Sequence, residues 1–285
     1  MRVGGTERPR PIDPAPARGG NPWQGPPGPP RVRRLRFGPW QGLWRLIQFM
    51  LVQIGVVTAL TLSRGVFVGL VRDVQASLAG RPIPHLVMAP PGAALVAASV
   101  IAAYVLAGLW CLRYVLRRAR DRLALGTPEG IAWRPADRGG YRAAVALGIG
   151  TVAATMAILR LMPIPPGRMA HSDFQALLMP GWMLGPSLVL LLLIAPLTEE
   201  FLFRGAAFAA FAARTGPAWA TVVVTLLFVA VHAPEKIQYP PGFIDVSLMA
   251  LGAVWLRLRY RSIRPAILLH VIYNVGVSGA AFLLR

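Results

Sequence analysis

The chain has 285 residues, with 30 lysines and arginines against 11 aspartates and glutamates, a formal net charge of +19 and a pI near 11.7. So basic a soluble protein would read as a nucleic-acid binder, but 55% of the residues are hydrophobic, 14% are charged and the mean hydropathy is +0.54, which excludes an ordinary soluble domain. The one cysteine, Cys111, lies in an apolar run and leaves no room for an intrachain disulfide framework or a Cys-rich metal site.

Residues 1–42 read as a disordered, cytoplasmic tail dense in Pro and Gly, most of all in Gly25-Pro26-Pro27-Gly28-Pro29-Pro30. Arg31, Arg33, Arg34 and Arg36 follow, beside the first apolar run, where they suit anionic lipid and the cytoplasmic side; no nucleic-acid partner is expected. Nothing apolar of sufficient length precedes Leu43, so the tail is expected to be retained rather than cleaved as a signal peptide.

Residues 43–285 read as a membrane domain. A spanning helix needs about 20 apolar residues, and seven runs are candidates, roughly 46–62, 92–112, 143–163, 182–199, 217–232, 243–256 and 265–284. The expected fold is therefore all-α, a polytopic transmembrane bundle of about seven helices (six to eight), in a cell membrane. Arginines alternate between richer and poorer loops: Arg113 to Arg142 between the second and third runs and Arg257 to Arg264 between the sixth and seventh, against Arg168 or Lys236 in intervening loops. That alternation fits an N-terminus in the cytoplasm.

An ionisable group within a span is expensive and marks a functional site by default. Arg64 and Arg160 stand near run ends and can snorkel; Asp245 opens the sixth run as a cap. What remains is Glu199, Glu200 and Arg204 closing the fourth run, His232 closing the fifth, and His270 with Asn274 in the seventh. Adjacent carboxylates point about 100° apart on a helix. Glu200 and Arg204, at i,i+4 and in the favourable order, can neutralise one another. Glu199 has no such local cation, and Pro196 removes a donor from its turn. A carboxylate so placed suits proton exchange near neutral pH, the alternative being two buried structural ion-pair members.

Gly216-Pro217 is a turn signal, with Glu200 sixteen residues before Gly216 and His232 sixteen after it. Two antiparallel helical arms would bring Glu199, Glu200 and His232 to one level. His270 and Asn274 share a helix face and are open to two readings: donors to a developing oxyanion or interhelical glue of about 1 kcal/mol.

Together Glu199-Glu200-x-x-x-Arg204, Phe228-x-x-x-His232 and His270-x-x-x-Asn274 resemble the motif set of the CPBP family, the CAAX-prenyl endopeptidase-like and bacteriocin-processing membrane proteins, also called ABI-type intramembrane glutamic proteases. The resemblance covers roughly residues 180–278, and no part of it is identified in residues 1–142. It implies an endopeptidase in which Glu199 activates water with help from His232, His270 and Asn274 bind the oxyanion, Glu200 and Arg204 support, and Phe228 packs. It implies a membrane-associated peptide or protein as substrate and no cofactor.

Three alternatives stand beside it. Two His and two Glu could ligate a catalytic zinc, although His-Glu-x-x-His is absent. A proton-coupled transporter would use embedded Glu and His but should show repeats. A membrane scaffold or bacteriocin self-immunity factor could keep the fold without catalysis. One geometric expectation follows from the link Ala233 to Gly242, which holds three prolines and would start deep in the bilayer. Irregular backbone there requires a water-filled chamber, with the fourth-to-fifth hairpin projecting into the cytoplasm.

Overall fold

Inside a bilayer the backbone has no water to bond, so a chain this apolar satisfies its peptide groups within helices. In the computed structural model, which describes residues 38–82, 92–165 and 173–283, every regular element is helical and no strand occurs among the described residues. The tail up to residue 37 lies outside them. Helix α1 is Pro39–Leu78, opening just ahead of the expected boundary, with Pro in the first turn where its missing N–H is harmless. It is followed by α2 (Ala93–Ala119), α3 (Arg138–Leu161) and the short α4 (Asp173–Leu178).

From Leu184 to Val231 the chain is one long helical tract: α5 (Leu184–Val189), a π-helical stretch (Leu190–Ile194), α6 (Ala195–Glu200), a second π-helical stretch (Phe201–Ala207) and α7 (Phe208–Val231). A single turn, α8 (Ala233–Lys236), leads to α9 (Gly242–Tyr260) and α10 (Arg264–Leu283). Asp245, expected as a cap, lies inside α9: its carboxylate accepts from the Val246 N–H at 2.8 Å, and also from Tyr273 at 2.9 Å and Thr155 at 3.3 Å. Arg64, expected near a run end, stands within α1.

Five helical tracts are long and apolar enough to cross a membrane by length and composition, against the seven runs in the sequence. The fourth and fifth runs join into the tract 184–231, and the sixth, α9, carries Asp245, Arg257 and Arg259 and is not among the five. The joined runs still fold back on each other. Gly216, at φ 79° and ψ 167°, takes a backbone conformation that is essentially restricted to glycine. Twelve residues before it, the Arg204 guanidinium lies 4.1 Å from the ring centre of Phe228, twelve residues after it. The hairpin read from Gly216-Pro217 is therefore present.

The two arginine-rich loops meet at one end of the bundle. Ser262 Oγ donates to the Arg134 carbonyl at 2.5 Å and the Ile263 N–H to the Ala132 carbonyl at 3.0 Å. Buried Arg257 ties the 127–130 loop to the hairpin, its guanidinium donating to Gly130 O at 2.5 Å, Pro128 O at 3.1 Å and Arg204 O at 2.7 Å. At the opposite ends of α3 and α9, the Tyr239 hydroxyl donates to the Met162 carbonyl. The core between these ends is built largely of Ala, Phe and Leu from α2, the second π-helical stretch, α7, α9 and α10.

Candidate active site

The two glutamates sit on α6, the six residues between the two π-helical stretches. Pro196 accounts for part of this irregularity. In the i→i+5 pattern of the first stretch, the partner of the Leu191 carbonyl would be the amide of Pro196, which has no hydrogen. Asn274 Nδ2 takes that place, donating to Leu191 O at 2.7 Å. One amide hydrogen of Asn274 is thus used as interhelical glue, leaving the second for other work.

Glu200 and Arg204 are fully buried and form the expected pair at 3.0 Å. The same carboxylate oxygen, Oε1, accepts from His270 Nδ1 at 2.9 Å. Arg204 also donates to the Ala250 carbonyl at 3.1 Å, and its guanidinium stacks on Phe228. Phe228 does more than fill space. Its ring lies 4.6 Å from that of His232, 5.9 Å edge-on from His270 and 5.1 Å from Phe203, so one side chain spaces both imidazoles and the buried cation.

Glu199 points away from Glu200 by about 100°, as adjacent helix positions do. Its Oε2 lies 3.9 Å from His232 Nε2 and 3.9 Å from His270 Nε2, and has no hydrogen-bond partner among the described residues. Each imidazole is held by its other nitrogen: His232 Nδ1 donates to the Phe228 carbonyl at 2.8 Å, and His270 Nδ1 to Glu200. A carbonyl and a carboxylate only accept, so both Nδ1 atoms carry hydrogen. At 3.9 Å the groups are too far apart to bond directly and are suitably spaced for one water about 2.8 Å from each.

These groups line a cavity of about 530 Å³ whose wall includes Tyr104, Glu199, His232, His270 and Asn274, together with apolar residues such as Phe49 and Met249. Pro234, Glu235, Lys236 and Gln238 from the link after His232 line it too. Of the seven residues singled out in the sequence, Glu199, His232, His270 and Asn274 reach the cavity. Glu200, Arg204 and Phe228 stand behind them, in contact with His270 or His232. Sequence reasoning missed Tyr104, whose hydroxyl donates to Glu199 Oε1. Its only trace was a hydroxyl-bearing aromatic in the middle of an uncharged span.

Residues 181–276 match a family model, Rce1-like, described as type II CAAX prenyl endopeptidase. The Rce1-like segment is about a third of the chain and contains all three motifs, from Glu199 to Asn274. Tyr104 lies outside it. No curated protein and no solved structure gives a match to the chain. Among the described residues, no group of three or more His, Cys, Asp or Glu side chains is arranged to hold a metal ion.

Proposed function

We propose that this chain is an intramembrane endopeptidase of glutamic type, hydrolysing a peptide bond of a membrane-associated substrate with a water activated by Glu199. The observation that carries the reading is the convergence of Glu199 Oε2 with two imidazole Nε2 atoms, each at 3.9 Å, on the wall of a mostly apolar cavity. The Rce1-like match supplies the reaction class.

Proton counting assigns the roles. With hydrogen on each Nδ1, a neutral His232 and a neutral His270 would both turn lone pairs toward Glu199, and three acceptors would surround one water. A water has two hydrogens, so one of the three groups must itself donate. His270 is the suited one, because Glu200 lies 2.9 Å from its Nδ1 and balances an imidazolium, whereas His232 has only a backbone carbonyl. Water then gives its hydrogen bonds to Glu199 and His232, and His270 Nε2–H faces the substrate's carbonyl oxygen.

The reaction follows in balanced steps. The water oxygen attacks the carbonyl carbon as its proton passes to Glu199. The oxyanion that forms is held by His270 Nε2–H and the second amide hydrogen of Asn274. The proton on Glu199 passes to the leaving nitrogen, the C–N bond breaks, and an acid and an amine result. Glu200 favours the imidazolium of His270 and holds it in place, Arg204 fixes Glu200, and Phe228 sets the distance between the imidazoles.

Zinc is the rival reading to test: metal-bound imidazoles commonly hold an acceptor on their second nitrogen, as both do here, although the described residues form no group of three or more His, Cys, Asp or Glu arranged to hold a metal ion. One experiment separates the readings. Purified protein in detergent is offered a library of membrane-associated peptides, as wild type and Glu199→Gln, with and without chelator. Cleavage that falls at least about 100-fold in Glu199→Gln and is indifferent to chelator is expected. Chelator-sensitive cleavage restored by zinc would establish the metal reading, and cleavage unaffected by Glu199→Gln would end the glutamic one. A scaffold or self-immunity factor would give no cleavage and keep its cellular role in Glu199→Gln, while a transporter would move protons in sealed vesicles.

The residence we propose is the cell membrane, with the N-terminus and the arginine-rich loops in the cytoplasm. The hairpin at Gly216 and α9 then count as separate crossings or half-crossings, which restores the seven runs.

A further inference from the structure

We propose that Tyr104 is a positioning residue for Glu199, supplied from outside the Rce1-like segment, which selects the carboxylate oxygen that acts as base. It rests on the reading of Glu199 as that base. A free carboxylate on a glutamate side chain can present either oxygen and can turn about its last torsion. Here the Tyr104 hydroxyl donates to Oε1, and Oε2 is left toward His232 and His270. Among the described residues no second hydrogen bond holds the Glu199 side chain. The tyrosine contact is therefore what fixes its orientation.

The contact survives the chemistry. A hydroxyl donates to Oε1 while Glu199 is ionised, and continues to do so after Oε2 has taken a proton from water, because Oε1 keeps its lone pairs. Nothing has to rearrange between the two halves of the reaction. Tyr104 gives up no proton in this scheme and touches no reacting atom.

Two features deliver the hydroxyl. Gly108, one turn further along α2, lies against Thr198, the neighbour of Glu199: a β-carbon added at Gly108 would stand 3.1 Å from Thr198 Cγ2, so a larger residue would push the two helices apart. The Tyr104 ring is seated edge-on against Phe49 of α1, with centroids 5.4 Å apart and planes at 89°. The N-terminal helices, which lie outside the matched residues 181–276, thus complete the orientation of Glu199.

The test compares full-length wild type, Tyr104→Phe and Glu199→Gln in one peptide-cleavage assay, with thermal midpoints alongside. Phenylalanine keeps the ring and its packing and removes only the hydroxyl. Tyr104→Phe is expected to lower kcat about tenfold, as loss of orientation does, with KM and midpoint unchanged. The infrared carboxyl band that Glu199→Gln abolishes should move in Tyr104→Phe, whether or not turnover is measured. Wild-type kcat in Tyr104→Phe, a rise in KM alone, a midpoint that falls with kcat, or an unmoved carboxyl band would each overturn the inference. Wild type and Glu199→Gln equally inactive, with the band moving, would instead sink the catalytic reading and leave the contact standing.

Discussion

Glu200 holds two basic groups with a single oxygen, and that arrangement separates it from its neighbour in a measurable way. Oε1 accepts from Arg204 at 3.0 Å and from His270 at 2.9 Å, all three groups being buried. Replacing Glu200 by Gln strips a fully buried guanidinium of its counter-charge, a change expected to destabilise by about 3 kcal/mol or more. Glu199→Gln removes a carboxylate whose Oε2 makes no hydrogen bond among the described residues, and the amide oxygen can still accept from Tyr104, so folding should be little affected. Thermal unfolding in detergent should therefore show a large drop in midpoint for Glu200→Gln and little or none for Glu199→Gln, although both abolish cleavage. Equal midpoints would contradict the division of labour between the two carboxylates. That division was legible in the sequence, because the i,i+4 spacing to Arg204 and the 100° step between neighbours depend only on helix geometry. Tyr104 was not legible: it lies 95 residues from Glu199, and hydropathy cannot tell a tyrosine that lines a cavity from one that faces lipid. Asp245 was misjudged for a related reason, since its partners Tyr273 and Thr155 come from two other helices.

Helical elements decide how close these side chains come, and here irregular turns matter more than regular ones. Both glutamates lie on six α-helical residues bounded by π-helical stretches, and Gly216 alone breaks the helical path between Glu200 and His232. Arms of equal length on either side of Gly216 bring Arg204 to Phe228, and arms that differ by one residue bring Glu199 to His232. Any residue but glycine at φ 79° and ψ 167° is strained by about 1–3 kcal/mol. Gly216→Ala is expected to lose stability in that range and to reduce cleavage by shifting the register of the two arms. Gly55→Ala is the control. Its position on α1 has open space for a methyl group, and alanine there should be neutral or stabilising by up to about 1 kcal/mol. A Gly216→Ala protein as stable and active as Gly55→Ala would show that the hairpin does not depend on this bend. The turn itself could be read from Gly216-Pro217, as could the helical runs. The first π-helical stretch could not, because it arises where Pro196 withholds a donor and Asn274, from a distant helix, supplies one.

At the scale of the whole molecule, the charge asymmetry and the contacts between loops point the same way. The arginine-rich segments around Arg134 and Ser262 are hydrogen-bonded to each other at one end, and Arg257 clamps the 127–130 loop and the Arg204 carbonyl at that same end. Tyr239 and Met162 meet at the opposite ends of α9 and α3. Nineteen residues of α9 separate these ends by roughly 28 Å at 1.5 Å per residue, about the thickness of the hydrocarbon core. If positive charge sets the orientation, Thr127 belongs to the cytoplasmic face and Gln238 to the other. Both side chains are exposed, so each can be replaced by cysteine in a Cys111→Ala background. Cys111 is the one native cysteine and is fully buried, so its removal should leave a fold that reacts only at the introduced thiol. A membrane-impermeant maleimide applied to intact cells stripped of their outer layers should label Gln238→Cys, and should reach Thr127→Cys only after permeabilisation. The reverse pattern would invert the bundle and put the arginines outside. Labelling of both from one side would mean that α9 does not cross, and that the cavity walled by the 234–238 link opens to the same compartment as the arginine-rich loops.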